Sequence, residues 1–279
     1  MATNFVDDRK DNGVIFRAEG ISLAFGDKRI LRDLTCEVRD VVRPGHVTGQ
    51  VIGLLGPSGV GKTQLLRIIA GLNRPDSGAV FIGHELLPAQ RGMVGVVFQH
   101  YPLFERRRVL SNLVVAGRRA GNTRAEATQR AYHYLERFHM ADRAMFYPAQ
   151  LSGGQRQRVA IAQQLMCSEH FIVMDEPFSG LDPIQVQTVV DLIFEVAGMH
   201  ELNTVIVVSH DVDATVLAAD TIWFMGRDRD EHGAIIPGAR IQEVIDLVPL
   251  GLAWWQSPTW DSPGLDECAR TLRKRFSNL

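Results

Sequence analysis

Cysteine is scarce in this chain. Three occur in 279 residues, Cys36, Cys167 and Cys268, odd in number, far apart and without a CxxC pair. That argues against a disulfide framework and a structural zinc site, and fits a reducing compartment. No run reaches 18 apolar residues, so no segment reads as a bilayer-spanning helix. The first thirty residues are polar and lack an apolar stretch of signal-peptide length. A charge excess is missing too: 30 basic residues face 32 acidic ones, for a formal net charge of -2. Nothing in that balance predicts a nucleic-acid coat. Internal repeats and low-complexity tracts are absent.

What is present is a sizeable apolar fraction. The chain is 46% hydrophobic, enough for a core that buries roughly 75% of the unfolded surface at this length. Residues 1–12 read as a loose tail. "VIFRAEGISLAF" and "LRDLTCEVRDVV" suggest early antiparallel strands, followed by a turn or loop from Arg43. "QVIGLLG" is short and nearly all apolar, as a strand buried on both faces should be. "GKTQLLRIIAGL" has helical spacing and stops at Gly71. From Leu103 the pattern becomes helical, and residues 103–168 read as a largely helical insertion whose last helix returns to the core. Beyond it, strands "FIVMDEP" and "NTVIVVSH" alternate with helices "QVQTVVDLIFEVAGMH" and "DVDATVLAAD". That alternation implies a mostly parallel sheet covered by helices. "TIWFMG" and "GAIIPG" suggest a final hairpin, and residues 241–279 a helix-rich tail containing Trp254, Trp255 and Trp260.

The chemistry begins at Gly56. "GPSGVGKT" (Gly56, Pro57, Ser58, Gly59, Val60, Gly61, Lys62, Thr63) matches GxxxxGK[ST], with a buried strand before it and an amphipathic helix after. Glycines let the backbone curl until several N–H groups point inward, and the helix N-terminus adds positive potential. Lys62 can reach β- and γ-phosphates, and Thr63 can offer its hydroxyl to Mg²⁺. "FIVMDE" carries Asp175 to the C-terminal end of a strand, where ligands of α/β folds collect. Asp175 can hold the Mg²⁺ shell, and Glu176 can orient or deprotonate a water. Consecutive strand residues face opposite ways, so the strand must end or turn between these two carboxylates.

"LSGGQ" opens a helix with Ser152 as its N-cap and then Gly153, Gly154 and Gln155. Glycine weakens a helix start by about 1 kcal/mol relative to alanine, which makes sense if something must come close to the backbone. One γ-phosphate has no obvious use for two helix N-termini of one small domain. A second copy of the chain resolves this, each nucleotide lying between the phosphate loop of one subunit and Ser152 of the other. The competing reading is a flexible cap on a packed helix.

Taken together, these motifs resemble the nucleotide-binding ATPase subunit of an ATP-binding cassette transporter, over roughly residues 14–240. "GPSGVGKT" and "FIVMDE" look like its Walker A and Walker B segments, and "LSGGQ" like its signature motif. The resemblance implies an α/β P-loop NTPase with a mostly parallel core sheet, an antiparallel β subdomain and an inserted helical subdomain, spanning residues 1–240 before the tail. It further implies that Gln99 in "VVFQH" touches Mg²⁺ or the attacking water, and that Asp182 in "SGLD" organises the dimer interface. His210 in "VVSHD" would report the γ-phosphate, and Phe25 in "LAFGDKRIL" would stack on adenine. The implied cofactors are ATP and Mg²⁺. The implied partners are a second cassette subunit, an integral-membrane permease and, indirectly, a substrate-binding protein, with no direct nucleic acid. The implied location is peripheral, on the cytoplasmic face of the inner membrane. "YPAQLSGGQRQRVAIAQQL" and "DEPFSGLDP" look most like bacterial importers of nitrate, sulfonate or similar small anions.

Two features depart from the family pattern. The lead-in to the phosphate loop is long, with His46 where a glutamate is usual, and Arg106, Arg107 and Arg108 make the segment after Gln99 unusually basic. These arginines are expected to meet acidic residues of the permease, against the reading of a solvated basic face or a lipid contact. Other functions compatible with the motifs are an ATPase remodelling a nucleic-acid or protein complex, and an ATP-gated scaffold without hydrolysis.

Overall fold

The computed structural model describes residues 9–42, 49–168, 170–256, 258–262 and 264–276. Its first strands, β1 (Lys10–Phe25) and β2 (Lys28–Val42), pair antiparallel across a tight turn. Alternation decides their faces: Leu34, Cys36 and Val38 are buried while Glu37 and Arg39 point outward. Lys10, Asp11 and Asn12 belong to β1, so the loose tail expected over 1–12 does not extend to them; residues 1–8 lie outside the described residues, as do 43–48 of the expected loop with His46.

β3 (Gln50–Leu55) is buried throughout and runs into the phosphate loop, from which α1 (Lys62–Ile69) departs. β4 (Ser77–Ile82) and the two-residue β5 (Leu87–Pro88) complete an antiparallel sheet ordered β2-β1-β4-β5. β6 (Val94–Val97) precedes the helical stretch of α2 (Val109–Arg119), α3 (Arg124–Arg137) and α4 (Gly153–Leu165). Then follow β7 (Phe171–Asp175), α5 (Pro183–Ala197), β8 (Thr204–Ser209), α6 (Val212–Ala218), β9 (Thr221–Gly226), β10 (Arg240–Asp246) and α7 (Leu265–Phe276).

The second sheet has the order β10-β9-β3-β8-β7-β6. Its members from β9 to β6 are parallel, and β10 alone runs antiparallel to its neighbour. Both faces are covered, as a parallel sheet requires. Val51, Leu55, Met174 and Val207 pack toward the helices, whereas Ile52, Leu54, Val173 and Ile206 pack toward α1 and the antiparallel sheet. Phe16 joins the two sheets, its ring centroid 5.9 Å from that of Trp223 and 6.4 Å from that of Phe171. Parallel β3, β7 and β8 deliver their C-terminal ends side by side, and the loops bearing the chemistry leave from there.

Two sequence expectations change. "GAIIPG" is not the second strand of the final hairpin; β9 pairs with Arg240–Asp246 instead. Pro237 lacks an N–H and Gly238 sits at φ 90°, so that stretch cannot continue a ladder and stays in the connecting loop. The tail expected to be helix-rich from 241 therefore begins as a sheet strand, and its helix α7 starts only at Leu265.

Candidate functional site

The phosphate loop turns sharply because its glycines permit it. Gly61 sits at φ 121° with Ile30 and Leu31 closing on the place a Cβ would take, 3.0 and 3.2 Å away. It is also the N-cap residue of α1, and it offers no side-chain cap. Helices α3, α4, α5 and α6 are capped by Thr123, Ser152, Asp182 and Asp211. The α1 terminus has neither such a cap nor an acidic residue in its first turn. Its free N–H groups and positive dipole end make an anion cradle.

Lys62 lies inside that cradle, only 6% exposed. Its Nζ donates to the carbonyl oxygens of Gly56 at 2.7 Å and Pro57 at 3.3 Å, and stands 3.7 Å from Oε1 of Glu176. Burial pushes its pKa down, while the carboxylates of Glu176 and Asp175 act in the opposite sense.

Asp175 ends β7 and Glu176 follows with a left-handed φ of 51°, its N–H donating to Val208 O at 2.8 Å. This single positive-φ residue is the turn that the adjacent carboxylates demanded: both now serve one site. Oε2 of Glu176 lies 2.8 Å from Nδ1 of His210. His210 sits between the last residue of β8 and the Asp211 cap of α6, whose N–H is held by Ser209 Oγ at 3.0 Å. Burial raises the pKa of Asp175, and the Glu176 charge adds to that, against Lys62 and Arg67. Its Oδ1 is buried without a hydrogen-bond partner. Buried polar atoms are rarely left so. An unpartnered carboxylate oxygen beside Glu176 and Lys62 fits the hard oxygen donor a divalent cation takes, with Thr63 on the first turn of α1 as a further oxygen donor.

Gln99 lies exposed just past β6 and donates from Nε2 to Ser179 Oγ at 3.2 Å. Ser179 was not singled out from the sequence, although it stands within "SGLD". The Tyr101 hydroxyl, 3.5 Å from Pro177 O, gives the same two loops a second tie. Phe25 is 55% exposed at the tip of the β1–β2 turn, so it is not a core residue and its aromatic face is open to a flat ligand. Asp182 caps α5, accepting from the Gln185 N–H at 2.9 Å.

Ser152 caps α4 through Gln155, whose Oε1 accepts from the Ser152 N–H at 3.0 Å. Beyond their own helix and chain neighbours, nothing lies within 4 Å of where a Cβ would stand on Gly153 or Gly154, and neither adopts positive φ. The fold of this chain gives no reason for glycine at either position. Arg106, Arg107 and Arg108 are exposed before α2, with Arg107 over the Phe104 ring at 5.8 Å.

Comparison with known proteins gives the family. The family described as ABC transporter matches residues 45–179. The aliphatic sulfonates import ATP-binding protein SsuB 3 of Rhodococcus jostii is 37% identical over 80% of this chain and 76% of its own length. The chain belongs to the ABC transporter family. The sulfate/thiosulfate import ATP-binding protein CysA of Gloeobacter violaceus is also 37% identical, over 77% of this chain and 60% of that protein. The structure of cbiO1 from Clostridium perfringens, part of the ABC transporter complex cbiONQ, superposes with TM-score 0.67 at 25% identity, covering 81% of this chain and 88% of that one. As an ABC ATPase the chain uses a nucleotide and hydrolyses ATP. None of its described helices is long and apolar enough to cross a membrane.

Proposed function

We propose that the chain is the ATP-hydrolysing subunit of an importer for a small anion of the sulfonate, sulfate or nitrate kind. The observation that carries the ATPase chemistry is the convergence of Lys62, Glu176 and His210 beside the unpartnered oxygen of Asp175. The names of the sulfonate and sulfate importers at 37% identity support the solute class.

In this reading the backbone from Gly56 to Thr63 wraps the phosphates and Lys62 shifts its donors from Gly56 and Pro57 to the β- and γ-oxygens. Phe25 stacks on the purine. Mg²⁺, when bound, would supply charge neutralisation to the phosphates. Asp175, Thr63 and Gln99 are the residues that would hold it. Glu176 takes the proton of the attacking water, and His210 fixes that carboxylate and senses the γ-phosphate.

Two copies close on two nucleotides, each lending Ser152, Gly153, Gly154 and Gln155 to the other's triphosphate. The glycines without any packing partner support this, since an approaching phosphate is the neighbour they lack. Asp182 then orders the loop at the interface. We assign residues 1–240 to the ATPase domain and 241–279 to the tail, which opens with β10 as the last strand of the ATPase sheet, and 103–168 to the helical subdomain. The permease docks near Arg106, Arg107 and Arg108 through acidic residues. A substrate-binding protein delivers the solute to that permease. The chain acts peripherally at the cytoplasmic face of the inner membrane.

Uptake by vesicles containing the chain and its permease decides the matter. ATP-dependent entry of an alkanesulfonate or sulfate, lost with Glu176→Gln, is the expected result. Entry of amino acids alone would overturn the solute class, and uptake unaffected by Glu176→Gln would overturn the mechanism.

A further inference from the structure

A concentration of arginine and histidine side chains lies at the opposite end of the parallel strands. A cavity of about 390 Å³ opens between α3, the end of α4, the start of β7 and the loop before β8. Arg130, His133 and Arg137 reach it from α3, at a spacing that puts them on one helix face. His170 and His200 reach it from the sheet side, their rings stacked with centroids 4.4 Å apart. Among the described residues lining it there is no Asp or Glu.

Arginines such as Arg32, Arg156 and Arg240 sit on carboxylates. Arg130 is instead held by neutral oxygens, donating to Asn122 Oδ1 at 3.1 Å and to Leu165 O at 3.4 Å. Neither it nor Arg137 has a carboxylate partner among the described residues. Leu165 is the last residue of α4, so Arg130 is fixed in place without being neutralised. The histidines are fixed as well. The Leu202 N–H donates to Nδ1 of His200 at 3.1 Å, which leaves the proton of the neutral ring on Nε2 as a donor. The Asn203 amide donates to Val196 O at 2.8 Å, so its oxygen faces Nδ1 of His170, 3.3 Å away.

We propose that this cavity is a second anion site that takes a small tetrahedral oxyanion: sulfate, a sulfonate headgroup or a phosphoryl group. Guanidinium forks and the Nε2–H of His200 match such oxygens, while Nδ1 of His170 is already engaged by the Asn203 oxygen. The site is separate from the nucleotide cradle. His170 precedes β7 and Asp175 ends it, so the two lie about 16 Å apart along one strand. An occupant would bridge α3 to the loop before β8 and so tie the helical stretch to the sheet.

The test uses the full chain, saturated with ADP so that the phosphate loop is filled, and follows the ring signals of His170 and His200 by NMR during titration with sulfate. The expected result is a saturable shift of both rings that weakens roughly tenfold or more in Arg137→Gln, with ADP affinity unchanged. Arg137 is exposed, so this variant should fold. ADP displacing sulfate from these rings at high concentration would assign the site to phosphoryl ligands, and sulfate binding unaffected by ADP would assign it to free oxyanions; both support the site. Rings that do not respond, or a response that Arg137→Gln leaves intact, would overturn it.

Discussion

Glu176 and His210 meet side chain to side chain, Oε2 of the glutamate 2.8 Å from Nδ1 of the imidazole, while the other carboxylate oxygen faces the Lys62 ammonium at 3.7 Å. The glutamate is thus held at both oxygens by groups from two different loops. Replacing it by glutamine keeps the shape and removes the base. Phosphate release by Glu176→Gln should fall by about 10²–10⁴-fold, the usual worth of a positioned general base. Equilibrium ATP binding should survive, because Lys62 and the α1 terminus remain. Hydrolysis at the native rate would take the glutamate out of the chemistry.

A composite site makes an unusual prediction for mixed dimers. Lys62→Ala removes the buried ammonium from one phosphate loop, and Ser152→Arg blocks one α4 terminus. Each variant alone should be inactive. In a mixed dimer both lesions fall on the same composite site, and the other site is intact. Mixing the two inactive proteins should therefore restore ATPase activity, to about half the native rate per mixed dimer, as expected of a two-fold assembly with two equivalent sites. If every mixture stays dead while the variants still associate, the site lies within one subunit.

Much of this was legible in the sequence because the motifs sit at strand ends that the apolar runs already mark. The phosphate loop, Asp175 and Ser152 were found that way, and the parallel strands likewise. The antiparallel partner of β9 was misplaced. Ile235 and Ile236 look like strand residues, yet Pro237 and Gly238 stop them, while "RIQEVID" is only half-buried and carries a weak alternation. Ser179 escaped notice because a serine–glycine pair in a loop has no periodicity to betray it, and its link to Gln99 spans 80 residues. The left-handed backbone of Glu176 could be required on geometric grounds but not located at a residue.

The tryptophans of the tail should separate by stability. Trp254 packs on Phe194 with ring centroids 5.7 Å apart and donates from Nε1 to Gly49 O at 3.0 Å, so it closes the tail over α5 and the start of β3. Trp254→Ala loses that burial and orphans a carbonyl, and should cost about 2–4 kcal/mol, somewhat under the range for fully buried aromatics. Trp260 is 39% exposed, and its replacement should cost less than about 1 kcal/mol. Denaturant midpoints of the two variants, compared at equal slope, measure this. Equal losses would contradict the placement of Trp254 as the anchor.

The three thiols should resist modification in the native protein. Burial raises the pKa of Cys36, Cys167 and Cys268 alike, and Cys36, enclosed between the sheets, is the most strongly affected. A raised thiol pKa leaves less thiolate at a given pH, and the thiolate is the reactive form. Reaction with a chromogenic disulfide near pH 8 should therefore be at least about tenfold slower than after unfolding. The half-buried Cys167 and Cys268 should react before Cys36, and raising the pH should speed them first. Mass mapping of the labelled sites checks the order. Early labelling of Cys36 would mean that the two sheets part readily, against the packing of Phe16 on Trp223 and Phe171.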